Sequence, residues 1–178
     1  ARTFAIGDIH GDLAALDTLL ARLPPLTADD TLVLLGDYID RGPGIREVLH
    51  TVRAMVEAGD ALAIMGNHEF NAILYHTPDD KGGYLKERND RHKRTHLATL
   101  EAFEGREEEW AEWIRWFKHL PMHLDLGELR AVHAAWDARH VERLSGTPLL
   151  SDAFLLAAAT EGMPEFTAAE IMLKGPEL

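Results

Sequence analysis

Three short apolar runs, each halted by the same kind of break, constrain this chain most. "TFAIGD" (3–8), "TLVLLGD" (31–37) and "ALAIMGN" (61–67) all end in Gly followed by Asp or Asn. Asp8 and Asp37 lie 29 residues apart, Asp37 and Asn67 30. A short apolar run bounded by turn chemistry reads as a buried strand. The segments between the runs have helical periodicity. Leu13, Leu16, Leu19, Leu20 and Leu23 predict an amphipathic helix over 12–23, ended by Pro24-Pro25. Residues 45–58 predict another, with Gly59 as its C-cap. Strands alternating with helices at this pitch form βαβ units, so the residues alone predict an α/β fold with a mostly parallel, doubly wound core sheet.

The second half of the chain differs in texture. "PDDKGG" (78–83) and "KERNDRHKR" (86–94) predict a mobile loop running into a charged helix. Residues 98–119 read as helical, with Trp110, Trp113, Trp116 and Phe117 on one face as core packing. Together, residues 78–120 are expected to form a helical cap inserted in a single domain spanning 1–178. "GELRAVHAAWD" (127–137) reads as a fourth strand ending at His133, "DARHVERL" (137–144) as a helix, and 150–160 as an apolar helix. Trp136 either stacks on a base or packs under the loop, and packing is the expectation.

Composition narrows the partners. The chain has 178 residues, no cysteine and a net charge of −12. The absence of cysteine excludes disulfides and thiolate metal sites. An acidic surface repels polyanions, so duplex nucleic acid is not an expected partner. No apolar run is long enough to span a bilayer, so no membrane role is expected, and a cytoplasmic enzyme is the simplest reading. A phosphorylated substrate would need local positive charge, which bound divalent cations could supply.

Parallel strands deliver the residues at their carboxyl ends to one edge of a sheet, where ligands bind. The first run delivers Asp8 and His10, the second Asp37, Asp40 and Arg41, the third Asn67, His68 and Glu69, and the fourth His133. Each alone has a plain structural explanation: a turn aspartate, a satisfied core histidine, a surface Asp-Arg pair. Their joint order and spacing has none. Carboxylate, imidazole and amide oxygen without sulfur suit two divalent ions, manganese first, with iron or zinc as alternatives. Asp37 is the natural bridging ligand. Two ions about 4 Å apart can share a hydroxide and clamp an in-line phosphoryl displacement. His68 could then serve as general acid with Asp40 on its other nitrogen, and Arg41 offers a planar fork for phosphate.

"GDIHG", "GDYIDRG" and "GNHE", followed by "VHA", resemble the calcineurin-like metallophosphoesterases, most closely the phosphoprotein phosphatase branch of bacterial type. The resemblance covers residues 3–69 and 127–136. It implies a β-sandwich of two mixed sheets flanked by helices. It implies that Asp8 and His10 bind one metal, that Asp37 bridges, and that Asn67 and His133 bind the other. His68 would be the acid, Asp40 its partner, and Arg41 a phosphate ligand. The implied activity is hydrolysis of phosphomonoesters or phosphoanhydrides by a metal-bridging hydroxide, on a small molecule, a nucleotide or a phosphoprotein. A symmetrical dinucleoside tetraphosphatase is the alternative, and a metal-binding module without catalysis a minor one. His68, Asp40 and Arg41 are all intact, which favours the enzyme.

Two features depart from that pattern. No Gly-His pair follows His133, and the chain starts at Ala1 and stops at Leu178, so a trimmed start and a missing C-terminal part are expected. Met65 stands where eukaryotic-type members carry arginine, which removes a phosphate contact and points to bacterial members. Within 86–96 the basic excess is either a solvated helix face or a cap recruiting an anion, with Arg91 and Arg94 as the candidate substrate contacts beside Arg41.

Overall fold

The three apolar runs form β1 (Thr3–Ile6), β2 (Thr31–Leu34) and β3 (Leu62–Ala63), hydrogen-bonded in parallel in that order in the computed structural model, which describes residues 1–144 and 151–176. β2 is central, and Leu32, Val33 and Leu34 are all buried, as a parallel strand covered on both faces requires. The crossovers are α1 (Leu13–Arg22) and α2 (Ile45–Ala58). Asp12 starts α1 by accepting the Ala15 N–H at 2.9 Å. Gly59 ends α2 in the left-handed region, at φ 79°, as expected of a C-cap glycine.

The third motif opens α3 (Asn67–His76) directly. After a loop come α4 (Asp90–Ala102) and α5 (Glu107–Phe117). The helix boundaries here correct the sequence reading: α4 runs through the seam between the two expected pieces, and the predicted 98–119 helix is broken at 103–106. Asn89 caps α4 by accepting the His92 N–H, and Gly105, at φ 70°, takes the left-handed turn that separates it from α5. Trp110, Trp113 and Phe117 are buried in the same apolar cluster as Leu34 and Val52, so the aromatic stripe is core.

A short hairpin follows, β4 (His123–Asp125) antiparallel to β5 (Arg130–Val132), with His133 just past its end. β4 was not legible in sequence. The α/β class holds, but neither sheet is mixed: one is parallel and three-stranded, the other antiparallel and two-stranded. The chain closes with α6 (Ala138–Leu144), α7 (Asp152–Ala159) and α8 (Pro164–Lys174). Residue 150 of the expected 150–160 helix lies outside the described residues. α7 and α8 add Phe154, Leu155, Ala168, Met172 and Leu173 to the common core. Among the described residues no helix is long and apolar enough to cross a membrane.

Candidate active site

The carboxyl ends of β1, β2 and β3 bring the first three motifs together, and backbone hydrogen bonds fasten them. The Ile9 and His10 N–H groups donate to the Asp37 carbonyl at 3.0 and 2.8 Å, and the Gly42 N–H donates to the His10 carbonyl at 2.8 Å. Four non-glycine residues here have left-handed backbones: His10 (φ 47°), Asp37 (57°), Asp40 (67°) and Arg41 (70°). Each such residue costs about 1 kcal/mol, and strain of this kind persists only where the surroundings over-determine it. These are the only such non-glycine residues among those described, and all four belong to the site. Glycine is required where the loops touch: a Cβ on Gly66 would run into the Asp37 carboxylate and amide nitrogen.

Glu69 is the clamp. Its carboxylate is fully buried and accepts from the Asp37 and Tyr38 N–H groups at 2.8 Å each, from Gly66 at 3.0 Å and from Ile39 at 3.3 Å. One side chain thus locks the second motif to the third. Burial and the charge of Asp37 push Glu69 up to about 7, against the pull of its backbone donors.

Asp37 lies at the centre. Its Oδ2 is 3.6 Å from His10 Nε2, 3.5 Å from His133 Nε2 and 4.0 Å from His68 Nε2. Its Oδ1 accepts the His68 backbone N–H at 3.0 Å, at the positive end of α3. Burial opposes ionisation, but His133 and the His68 donor outweigh it, so the carboxyl stays below its usual range. Asp8 is exposed, 3.7 Å from His10 Nε2, and Asn67 Oδ1 is 3.1 Å from His133 Nε2. Burial pulls His133 down, but Asp37, the Leu35 carbonyl and Asp8 lift it to about 9.

The imidazoles are oriented for ligation. His10 Nδ1 donates to the Ile39 carbonyl at 2.7 Å and His133 Nδ1 to the Leu35 carbonyl at 2.6 Å, which leaves each Nε2 to face Asp37. His10 Nε2 is buried and makes no hydrogen bond, an orphaned atom that a cation would satisfy. Two groups have donor atoms close enough for one ion each: His10, Asp37 and His68, and Asp8, Asp37 and His133. Asp37 is common to both. The grouping crosses the pairing that the resemblance implies, because Asp8 falls with His133 and His10 with His68.

His68 differs from the other two imidazoles in its partner, a carboxylate rather than a carbonyl. Its Nδ1 is 2.6 Å from Asp40 Oδ2. Asp40 is buried and also receives His96 Nδ1 at 2.8 Å and the Thr99 hydroxyl at 2.5 Å, while its own N–H donates to Thr99 Oγ1 at 3.0 Å. Burial raises the Asp40 carboxyl, but His68, His96 and Thr99 together hold it well below the usual carboxylate range. Sequence reasoning missed His96 and Thr99. Their three-residue spacing puts them on one face of α4, but only the docking of α4 shows that this face meets Asp40.

The expected substrate arginines separate. Arg91 lines a cleft that also contains His68 and Asp40. Arg94 lies instead with exposed Arg41 around a shallow depression. Trp136 packs edge-on against His123, ring centroids 5.5 Å apart, with Arg130 over its face, in line with the packing expectation.

Residues 1–148 match the sequence model of the calcineurin-like phosphoesterases. The chain belongs to that family. Among curated relatives, a symmetrical bis(5'-nucleosyl)-tetraphosphatase of Cronobacter sakazakii is 40% identical over 72 residues, covering 40% of this chain and 24% of the relative. One from an Enterobacter species is 36% identical over 95 residues, covering 49% and 33%. The chain therefore spans a quarter to a third of the length of these relatives. The fold matches a metallophosphoesterase from Sphaerobacter thermophilus with TM-score 0.54 at 23% identity, over 75% of this chain and 46% of that one. A cold-active protein-tyrosine phosphatase of a psychrophilic Shewanella matches with TM-score 0.57 at 19% identity, over 97% and 54%. At these identities the structural likeness speaks for the fold alone.

Proposed function

We propose that this phosphoesterase domain hydrolyses phosphate esters or anhydrides using two divalent cations that share Asp37. The observation that carries the reading is the Asp37 carboxylate, with three imidazole Nε2 atoms within 4.0 Å, one of them buried without a partner. Against the proximity grouping, we assign Asp8 and His10, 3.7 Å apart, to one ligand set with Asp37, and Asn67 and His133, 3.1 Å apart, to the other, as the family pattern implies. His68 Nε2, at 4.0 Å the farthest of the three imidazoles from Asp37 Oδ2, is left for the proton. The donor set is oxygen and nitrogen only, which suits manganese, iron or zinc. When bound, such ions neutralise phosphoryl charge and acidify the attacking water.

The chain's own residues supply the rest. Asp40, fixed by His96 and Thr99, keeps the Nδ1 proton of His68 in place and turns Nε2 toward the reacting centre. From there His68 gives its Nε2 proton to the leaving oxygen as the phosphorus–oxygen bond breaks, and the attacking water oxygen takes that oxygen's place on phosphorus. Arg41, exposed at the rim and free of a carboxylate partner among the described residues, orients the phosphoryl oxygens. The names of the tetraphosphatase relatives favour a nucleotide anhydride over a phosphoprotein as substrate.

Phosphate release from an aryl phosphate and a phosphopeptide, and nucleotide products from diadenosine tetraphosphate, each with manganese and with chelator, test the reading. Turnover on at least one substrate that chelator abolishes is the expected result. Turnover that survives chelator, or none with metal bound, contradicts it.

A further inference from the structure

A cleft of about 430 Å³ opens beside His68, walled by α3, α4 and α8. His68 and Asp40 form its inner end, and Lys86, Arg91 and Lys174 line it, with Glu170 the one carboxylate near its outer end. The metal-side residues Asp8, Asp37 and His133 do not line it. The cleft therefore leads from the imidazole that protonates the leaving group, away from the cations. α8 lies beyond the residues that match the family model.

The charge in the cleft is unbalanced. Glu170 pairs with Lys174 at 2.5 Å. Among the described residues, the Lys86 ammonium and the Arg91 guanidinium have neither a hydrogen bond nor an ion pair. Lys86 is partly buried, and burial lowers its pKa, with Lys174 and Arg91 pushing it further down and Glu170 opposing. Cations crowded in this way inside a chain of net charge −12 are destabilised unless an anion joins them.

We propose that this cleft is a phosphate subsite on the leaving-group side, built by Lys86, Arg91 and Lys174, which selects substrates whose departing group is itself a phosphate. The inference rests on the hydrolase reading above for the direction of the leaving group. A phosphoanhydride places its second phosphate past His68, where two unpaired cations meet it and the anion competes with Glu170 for Lys174. An alcohol or phenol leaving group has nothing to offer them. Two charge-assisted contacts from a half-buried lysine and an arginine discriminate by about tenfold each.

Two measurements test this on the same variants. In the first, inorganic diphosphate is titrated into the protein in chelator by calorimetry. Lys86→Ala and Arg91→Ala are each expected to weaken binding about tenfold. Lys93→Ala, on the same helix but outside the cleft, should leave binding unchanged. Equal weakening by all three reduces the effect to net charge and overturns the subsite, as does no weakening by Lys86→Ala and Arg91→Ala. Arg91 is exposed, so its variant keeps the test open if Lys86→Ala does not fold. In the second, the metal-loaded protein is assayed on diadenosine tetraphosphate and on 4-nitrophenyl phosphate. Arg91→Ala should lower kcat/KM about tenfold on the first and leave the second within twofold. Equal loss on both overturns the proposal. If the unaltered protein turns over neither substrate while diphosphate binding behaves as expected, the hydrolase reading fails and the anion site stands.

Discussion

Glu69 Oε2 accepts the Asp37 amide N–H at 2.8 Å, and through that contact the second motif is held against the third. The same carboxylate takes the Tyr38, Ile39 and Gly66 donors, so it positions the central aspartate without facing a ligand itself. Glu69→Gln replaces one acceptor with an amide that repels these N–H groups. It should cost about 1–3 kcal/mol in urea unfolding, and metal binding should weaken with it. An unfolding midpoint equal to that of the unaltered protein would remove Glu69 from this role.

His68 is expected to act on the leaving group and not on metal retention. His68→Asn should keep the bound metal and slow turnover about a hundredfold or more, with the largest losses on substrates with poor leaving groups. A series of aryl phosphates of graded leaving-group pKa measures this. Equal slowing across the series would contradict the proton-donor assignment.

Asp40 works through His68, held by His96 and Thr99. Thr99→Val removes one donor to Asp40 and leaves the ligands untouched. We expect kcat to fall severalfold with KM little changed, and the pH profile of kcat to shift. Loss confined to KM would point to substrate contact instead.

His76 connects stability to pH. Its Nε2 lies 3.3 Å from His96 Nε2, and burial, His96 and Arg88 push it down to about 4. The unfolded chain, with a histidine pKa near 6.5, binds the proton more readily than the folded one. Stability contributed by neutral His76 is therefore complete above about pH 6.5 and is lost as pH falls toward 4. His76→Phe should flatten the decline in unfolding free energy between pH 7 and 4.5, measured in chelator, by about 1–2 kcal/mol after allowing for the partial exposure of the ring. Parallel curves for the two proteins would contradict this.

The sequence was most informative where structure is local. Each apolar run and the Gly-Asp or Gly-Asn that ends it lie within seven residues of one another, and β1, β2 and β3 follow from them in the expected parallel order. The convergence of Asp8, His10, Asp37, Asn67 and His68 follows from that parallelism, whereas His133 arrives from the end of the antiparallel β4–β5 hairpin, which the sequence reading takes for a fourth strand of the same sheet. The clamp by Glu69 was not legible, because GNHE does not reveal that its last carboxylate turns back under the second motif. Nor were His96 and Thr99, whose partner Asp40 is 56 and 59 residues away. α8 buries small residues, Ala168 and Ala169, beside Met172 and Leu173, a pattern too weak to announce a helix. Its Lys174 could not be placed near Arg91 without the fold.

If the Asp37 carboxylate serves two metal sites, manganese stoichiometry depends on it. Equilibrium dialysis of the unaltered protein and of Asp37→Asn, followed by metal analysis, gives the count per chain. We expect two manganese ions for the unaltered protein and loss of both, together with all hydrolysis, in the variant. A variant that retains one ion at native affinity, or turns over at a near-normal rate, would contradict this.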